Sequence, residues 1–236
     1  MIAPDLVVGV LVPSGDTWRA KMALSMLGMT MHFLSVRYMQ DGDQAIFFRN
    51  KRGSTLTQNR QRLVMEALNA NPRPTHLLLV DQDQTFEPDL LHRLLVHDAP
   101  VVACNVATKA TPSQPTARLK AKNGGDPTLV YTTPTSPALG EVWRIGCGIM
   151  LVQAWVFSML PKPWFFEHWL PDEERFEGED WGLCQRLEEA GIPILIDHRA
   201  SITVGHDGGK VYTHRDAWED QDDGCRVCEP ESEIPS

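Results

Sequence analysis

The sequence predicts an α/β chain built on a mainly parallel, layered sheet. Three observations predict it. Short apolar runs of buried-strand type recur, clearest in residues 77–80. Helix-like patterns alternate with them over the first hundred residues, as in chains whose parallel strands are joined by crossover helices. Finally, Asp81 and Asp83 follow directly on one such run, and sheets of this class present ligands at the carboxyl ends of their strands.

The elements follow in order. Residues 2–12 form a buried-strand candidate that stops at the turn Pro13-Ser14-Gly15. Residues 21–32, rich in Met and Leu, suit a core-facing helix, and residues 34–38 and 45–48 read as short strands around a polar turn. A helix is expected from Ser54, capped by Ser54 or Thr57, with Leu56, Leu63, Val64, Ala67 and Leu68 on one face. Residues 76–80 make the next strand. Pro88 suits a first helical turn, and Leu90, Leu91, Leu94 and Leu95 form the stripe behind it. Residues 100–106 return to strand. Residues 107–142 are rich in Thr, Pro, Gly and Lys and read as a loop-and-hairpin excursion, with one strand candidate at 129–132. Residues 143–152 re-enter the core, ahead of a helix near 153–160. "EDWGLCQRLEEAG" makes a helix with Trp181, Cys184 and Leu187 inward and Gly191 as its stop. Strands at 192–197 and 201–204 complete the core.

The 236 residues are 42% hydrophobic and 22% charged, the balance of a soluble globular chain, and no apolar run approaches the roughly 20 residues a membrane-spanning helix needs. With no basic leader at the start and an odd count of five cysteines, reduced thiols and a cytoplasmic setting are expected, the host cytoplasm if the source is viral. Residues 215–236 carry eight acids and two bases, so of the net charge of −9 the body holds only −3 (−9 minus −6). A globular domain over 1–214 and an acidic, loosely held tail over 215–236 are expected. Two segments of the body are basic and free of acids: Arg49, Lys51, Arg52, Arg60 and Arg62, then Lys109, Arg118, Lys120 and Lys122. They suit a solvated face or a surface that meets phosphate.

Three places carry chemistry. On a strand, positions 81 and 83 point the same way. Two adjacent carboxylates repel, and a divalent cation between them removes the conflict; Mg²⁺ and Mn²⁺ take a carboxylate or two plus substrate phosphates. Glu179 and Asp180 open a helix, where acids favour the dipole regardless of activity, yet a carboxylate at such a turn can take a proton from an attacking hydroxyl. His206 follows a strand among Gly205, Gly208 and Gly209, and imidazole suits Mn²⁺. Cys225 and Cys228 form a single C-x-x-C, read as incidental thiols against half a zinc site or a redox pair.

The order of these pieces resembles the GT-A glycosyltransferases, most nearly the glycosyltransferase family 2-like proteins and their small phage-encoded members. The matching stretches are "VVGVLVPSG", "TQNRQRLVMEAL", "HLLLVDQDQTFEPDLLHRLL", "RIGCGIMLVQAWVF", "PWF", "GEDWGLCQRLEEAGIPILID" and "ITVGH", spanning residues 6 to 206. The resemblance implies a GT-A layered fold with a mainly parallel central sheet. It places Pro13, Ser14 and Gly15 at the nucleotide, with Asn59 and Arg60 near it in an inverted "RN" order. Asp81 and Asp83 would hold Mn²⁺ or Mg²⁺ on the donor's diphosphate, with His206 completing the metal site. Gly146 and Gly148 would floor the sugar pocket. Asp180 would be the catalytic base and Glu179 its acidic neighbour. The implied activity is a metal-dependent, inverting transfer of a hexosyl or pentosyl group from a nucleotide-diphospho-sugar, expected to be a UDP-sugar, to an acceptor hydroxyl. The acceptor is a saccharide or, alternatively, a hydroxymethylated pyrimidine in phage DNA. A sugar nucleotidyltransferase and a non-catalytic nucleotide-sugar-binding module are the readings from other classes.

Overall fold

A computed structural model describes residues 5–15, 17–36, 43–53, 55–121, 126–171 and 173–219. Its centre is a seven-stranded sheet. In spatial order it runs β2 (Gln44–Lys51), β1 (Leu6–Pro13), β3 (His76–Val80), β9 (Ile149–Gln153), β5 (Val101–Ala103), β12 (Ile194–Asp197) and β8 (Leu139–Val142). β1 pairs parallel with β2 and β3, and β12 with β5; β9 and β8 run against their neighbours. The sheet is thus mainly parallel, as expected from the GT-A resemblance.

Both faces of the sheet are covered, which is why its central strands read as unbroken apolar runs. Leu77 and Leu79 of β3 enter one cluster with Leu63, Val64, Phe157, Leu183 and Leu187. Leu78 and Val80 enter the other with Met22, Met26, Met29, Phe33, Leu90 and Leu91. The first layer is made by α2 (Leu56–Leu68), α4 (Ala154–Met159) and α5 (Glu179–Glu189); the second by α1 (Ala20–Ser35), α3 (Leu90–Leu95) and α6 (His198–Thr203). A smaller sheet of β14 (Val211–Tyr212), β13 (Gly205–Asp207) and β4 (Gln84–Thr85) stands beside the carboxyl end of β3. Among the described residues no helix is long and apolar enough to cross a membrane. Cys104, Cys147 and Cys184 are free and buried; Cys225, Cys228 and most of the expected tail lie outside the described residues, although α7 (His214–Glu219) continues past residue 214.

Several elements differ from expectation for local reasons. Residues 34 and 35 continue α1, because burial recurs at Met22, Met26, Met29 and Phe33 and carries the helical period onward; residues 37 and 38 lie outside the described residues. The strand expected at 201–204 is the helix α6 up to residue 203. Asp197 caps it by accepting from the Ala200 N–H at 2.8 Å, which overrides the β-branched run Ile202-Thr203-Val204. Thr55 caps α2 by accepting from the Gln58 N–H; Thr57 instead donates to Glu167, and Ser54 lies outside the described residues. Leu56 is exposed. α3 begins at Leu90, after Pro88, with Leu95 half-buried. Leu183, not Trp181, takes the inward place on α5. In the 107–142 excursion the short hairpin β6 (Arg118–Leu119) and β7 (Thr128–Leu129) stands where a strand over 129–132 was expected, and β8 joins the main sheet. The hairpin of β10 (His168–Leu170) and β11 (Arg175–Glu177) had no expectation attached to it.

Candidate functional site at the carboxyl end of the third strand

The first turn is bound to the aspartate segment. Pro13 ends β1 opposite Lys51. Ser14 is buried, donates through Oγ to Asn50 Oδ1 at 2.7 Å and accepts from the Trp18 indole at 3.2 Å. The Gly15 N–H donates to Gln82 Oε1 at 3.1 Å. Gln82, between the two aspartates, thereby fixes the expected nucleotide turn against them.

Alternation stops where β3 ends. Residues 82 and 83 turn, and the Asp81 carbonyl accepts from the Gln84 N–H at 3.2 Å. The two carboxylates therefore face different cations instead of sharing one. Arg60, 3% exposed at its side chain, donates through Nη2 to Asp81 Oδ1 at 2.6 Å and through Nη1 to Glu179 Oε1. Burial alone would lower the guanidinium pKa, but Asp81, Glu179 and Asp180 outweigh it and raise it, so Arg60 is a permanent cation. Asn59 is also buried. Its Oδ1 lies where a Cβ on Gly53 would fall, so its side chain packs directly on that glycine.

Asp83 engages the candidate His206 and also Lys109. His206 Nε2 lies 3.3 Å from Asp83 Oδ1, and Lys109 Nζ bonds Asp83 Oδ2. The His206 position follows from β13 pairing with β4, which sets His206 opposite Gln84. Its Nδ1 is 3.0 Å from the Ala107 carbonyl, so the ring donates there and turns Nε2 toward Asp83. Burial would raise the Asp83 pKa, yet His206 and the Lys109 ammonium beside it hold it well below the usual carboxylate range. Of the three expected ligands, Asp83 and His206 meet, while Asp81 Oδ1 is turned to Arg60. Among the described residues no three of His, Cys, Asp and Glu are grouped to hold a metal. The remaining pair, an oxygen donor and an oriented imidazole, is a donor set a divalent ion accepts when substrate phosphates complete its shell.

Asp180 stands in the first turn of α5, with its Oδ1 accepting from the Trp181 N–H at 2.9 Å. Burial pushes its carboxyl up to about 6; Arg60 opposes the rise, while Glu179 and Asp81 add to it. Arg60, bonded to both Asp81 and Glu179, ties the acidic turn of α5 to the same sheet end as Asp81. A Cβ on Gly146 would come 3.4 Å from Asp180 Oδ2, so this glycine lies directly under the carboxylate. Gly148 differs: it packs against the buried Gln84 amide, and its carbonyl accepts from the Asp81 N–H at 2.9 Å. It supports the aspartate turn. Trp181 packs beside Arg144, whose guanidinium lies 5.3 Å from its ring and 4.3 Å from that of Trp143.

Three participants were missed in the sequence: Lys109, Gln82 and Gln84. Lys109 stood in a basic, acid-free run, the one signal available. Two surface clefts of about 450 and 420 Å³ are lined by other residues, around Trp143 and Trp164.

No protein-family model and no curated protein matches the sequence. Among solved structures the chain is similar to A197 from STIV, with a TM-score of 0.54 and 14% identity over 86% of each chain. It also overlaps GalNAc-T7 solved with UDP, GalNAc and Mn²⁺ (TM-score 0.48, 12% identity, 85% of this chain and 43% of that one). A third overlap is with the catalytic domain of Drosophila β1,4-galactosyltransferase 7 in complex with xylobiose (0.47, 14%, 93% and 82%). What the chain shares with A197 is its fold.

Proposed function

We propose that the protein is a glycosyltransferase that moves a sugar from a nucleotide-diphospho-sugar, expected to be a UDP-sugar, to an acceptor hydroxyl with inversion. The observation that carries this reading is the carboxyl of Asp180, pushed up to about 6 and set above Gly146 beside the Arg60–Asp81–Glu179 cluster. A base near neutral pH must hold its proton-accepting form yet retain basicity, which a raised carboxyl does. Asp180 would take the acceptor hydroxyl's proton as the oxygen attacks the anomeric carbon. One in-line displacement inverts that carbon.

The donor would lie across the turn tied together by Ser14, Gly15 and Gln82, with its diphosphate toward Asp83. Asp83 and His206 are the residues that would hold Mn²⁺ or Mg²⁺ there. Such an ion supplies Lewis-acid stabilisation of the charge that develops on the departing diphosphate. Arg60 pairs with Asp81 and Glu179 and holds them in place, and Gly146 leaves room below the base.

A saccharide acceptor is favoured over modified DNA by the fate of the two basic runs. Lys51 pairs with Glu66, Arg60 with Asp81 and Glu179, Lys109 with Asp83 and Lys120 with Glu188. Acids from elsewhere in the chain have taken up much of the charge that a phosphate backbone would need.

The test is a screen of nucleotide-sugars with Mn²⁺ or Mg²⁺, reading donor hydrolysis and then transfer to simple glycans and hydroxymethylated DNA. Turnover with one donor, abolished in Asp180→Asn while that donor still binds, is expected. Absence of turnover across the panel, or full activity in Asp180→Asn, would sink the reading. Retained anomeric configuration in the product, assigned by NMR, would reject the inverting step alone.

A further inference from the structure

Asp83 has no free carboxylate oxygen. Oδ1 faces His206 Nε2 and Oδ2 bonds Lys109 Nζ, while its backbone carbonyl accepts from the Asp207 N–H at 2.8 Å. The lysine stem has a slot built for it: a Cβ on Gly208 would come within 2.7 Å of Lys109 Cδ and 3.0 Å of its Cγ. The backbone that carries Lys109 is closed by hydrogen bonds. The Thr108 N–H donates to the Gln114 carbonyl at 2.8 Å, Ser113 Oγ donates to the Thr108 carbonyl at 2.7 Å, and Ala107 bridges Pro115. The Lys109 side chain, by contrast, is 31% exposed and can swing. Other cations nearby are already engaged, Arg19 and Lys21 by Asp207 at 3.6 and 3.7 Å.

We propose that Lys109 holds the place of the metal ion: it neutralises Asp83 when no ion is bound, and passes to the donor's diphosphate when an ion takes over that carboxylate. The inference rests on the reading of this site as one for a nucleotide diphosphate. Its physical reason is charge. A divalent cation and an ammonium on one carboxylate repel strongly at contact distance. The displaced ammonium keeps its stem in the Gly208 slot, and the anion it can reach is the phosphate that arrives with the ion. Lys109 is then a positioning residue for the ion and a leaving-group contact for the nucleotide. Ion and nucleotide are coupled, each favouring the other.

Calorimetric titration of the full chain tests this, using Mn²⁺ alone and then, at saturating Mn²⁺, whichever of UDP, GDP, CDP and ADP wild type binds best. Lys109→Met should bind Mn²⁺ alone about tenfold more tightly and the nucleoside diphosphate about tenfold more weakly, the scale of one charge-assisted hydrogen bond. The corresponding monophosphate should be affected less. Lys109→Arg, which keeps the charge, should stay near wild type for the diphosphate. Lys109→Gln replaces Lys109→Met if thermal unfolding shows that variant to be damaged. If wild type binds both ligands and the neutral variants shift neither, or shift both in the same direction, the role of Lys109 is overturned while the site reading stands. If wild type binds no ion and no nucleotide, both fall.

Discussion

Asp81 and Glu179 share one guanidinium. Arg60 reaches the first through Nη2 at 2.6 Å and the second through Nη1, and its own side chain is 3% exposed. A helix of one layer thus joins the end of β3 to the start of α5, and the acidic turn that carries Asp180 is located by this contact.

Removing that guanidinium strands two carboxylates. Arg60→Met should cost about 3–5 kcal/mol of stability, the scale for breaking a buried pair from one side. Urea denaturation should show the loss, and Arg60→Met with Glu179→Gln should recover part of it. Arg60→Lys should also lose stability, because an ammonium does not reproduce the two-pronged fork.

Asp180 makes both activity and stability depend on pH. Transfer should rise through about pH 6 as the carboxyl ionises. The stability effect has the opposite slope. Because burial raises the folded pKa above the ordinary 3.8 of an aspartate, the group's contribution is complete below about pH 4 and is lost as pH rises through about 6. Asp180→Asn keeps an acceptor for the Trp181 N–H, so it should be more stable than wild type at pH 7 by roughly 1–2 kcal/mol, after discounting for partial exposure. That gap should close near pH 4. A gap that widens on acidification would contradict the assignment.

The two aspartates should separate in their phenotypes. Asp83→Asn should lose the Mn²⁺ heat in calorimetry with little change in melting temperature, since its partners Lys109 and His206 are partly solvated. Asp81→Asn should lower the melting temperature, because the buried Arg60 loses one of two counter-ions. Equal loss of metal binding in both would restore the shared-ion arrangement.

Gly182 of α5 packs directly on the backbone of Phe166. A Cβ there would lie 2.3 Å from the Phe166 carbonyl oxygen and 2.9 Å from its nitrogen, both backbone atoms that cannot step aside. Gly182→Ala should destabilise by about 2 kcal/mol or more and depress turnover by shifting the turn that bears Glu179 and Asp180.

Strand positions, the Gly191 stop with its φ of +67 and the alternation of helices with strands were legible in the sequence. Each rests on periodicity or on one residue's backbone preference, which act over a few positions. The same locality explains the error at 201–204, where β-branched residues suggested a strand and the cap from Asp197 imposed a helix. The candidate acids were legible too, as residue types at strand and helix ends. Their partners were not. Arg60 meets Asp81 across 21 residues and Glu179 across 119, and Lys109 meets Asp83 across 26. The sequence by itself determined which groups are anionic and which layers they edge. The tertiary structure decided which cation each one faces, because a salt bridge is set by where packed helices and loops bring charges together, and no local pattern encodes that distance.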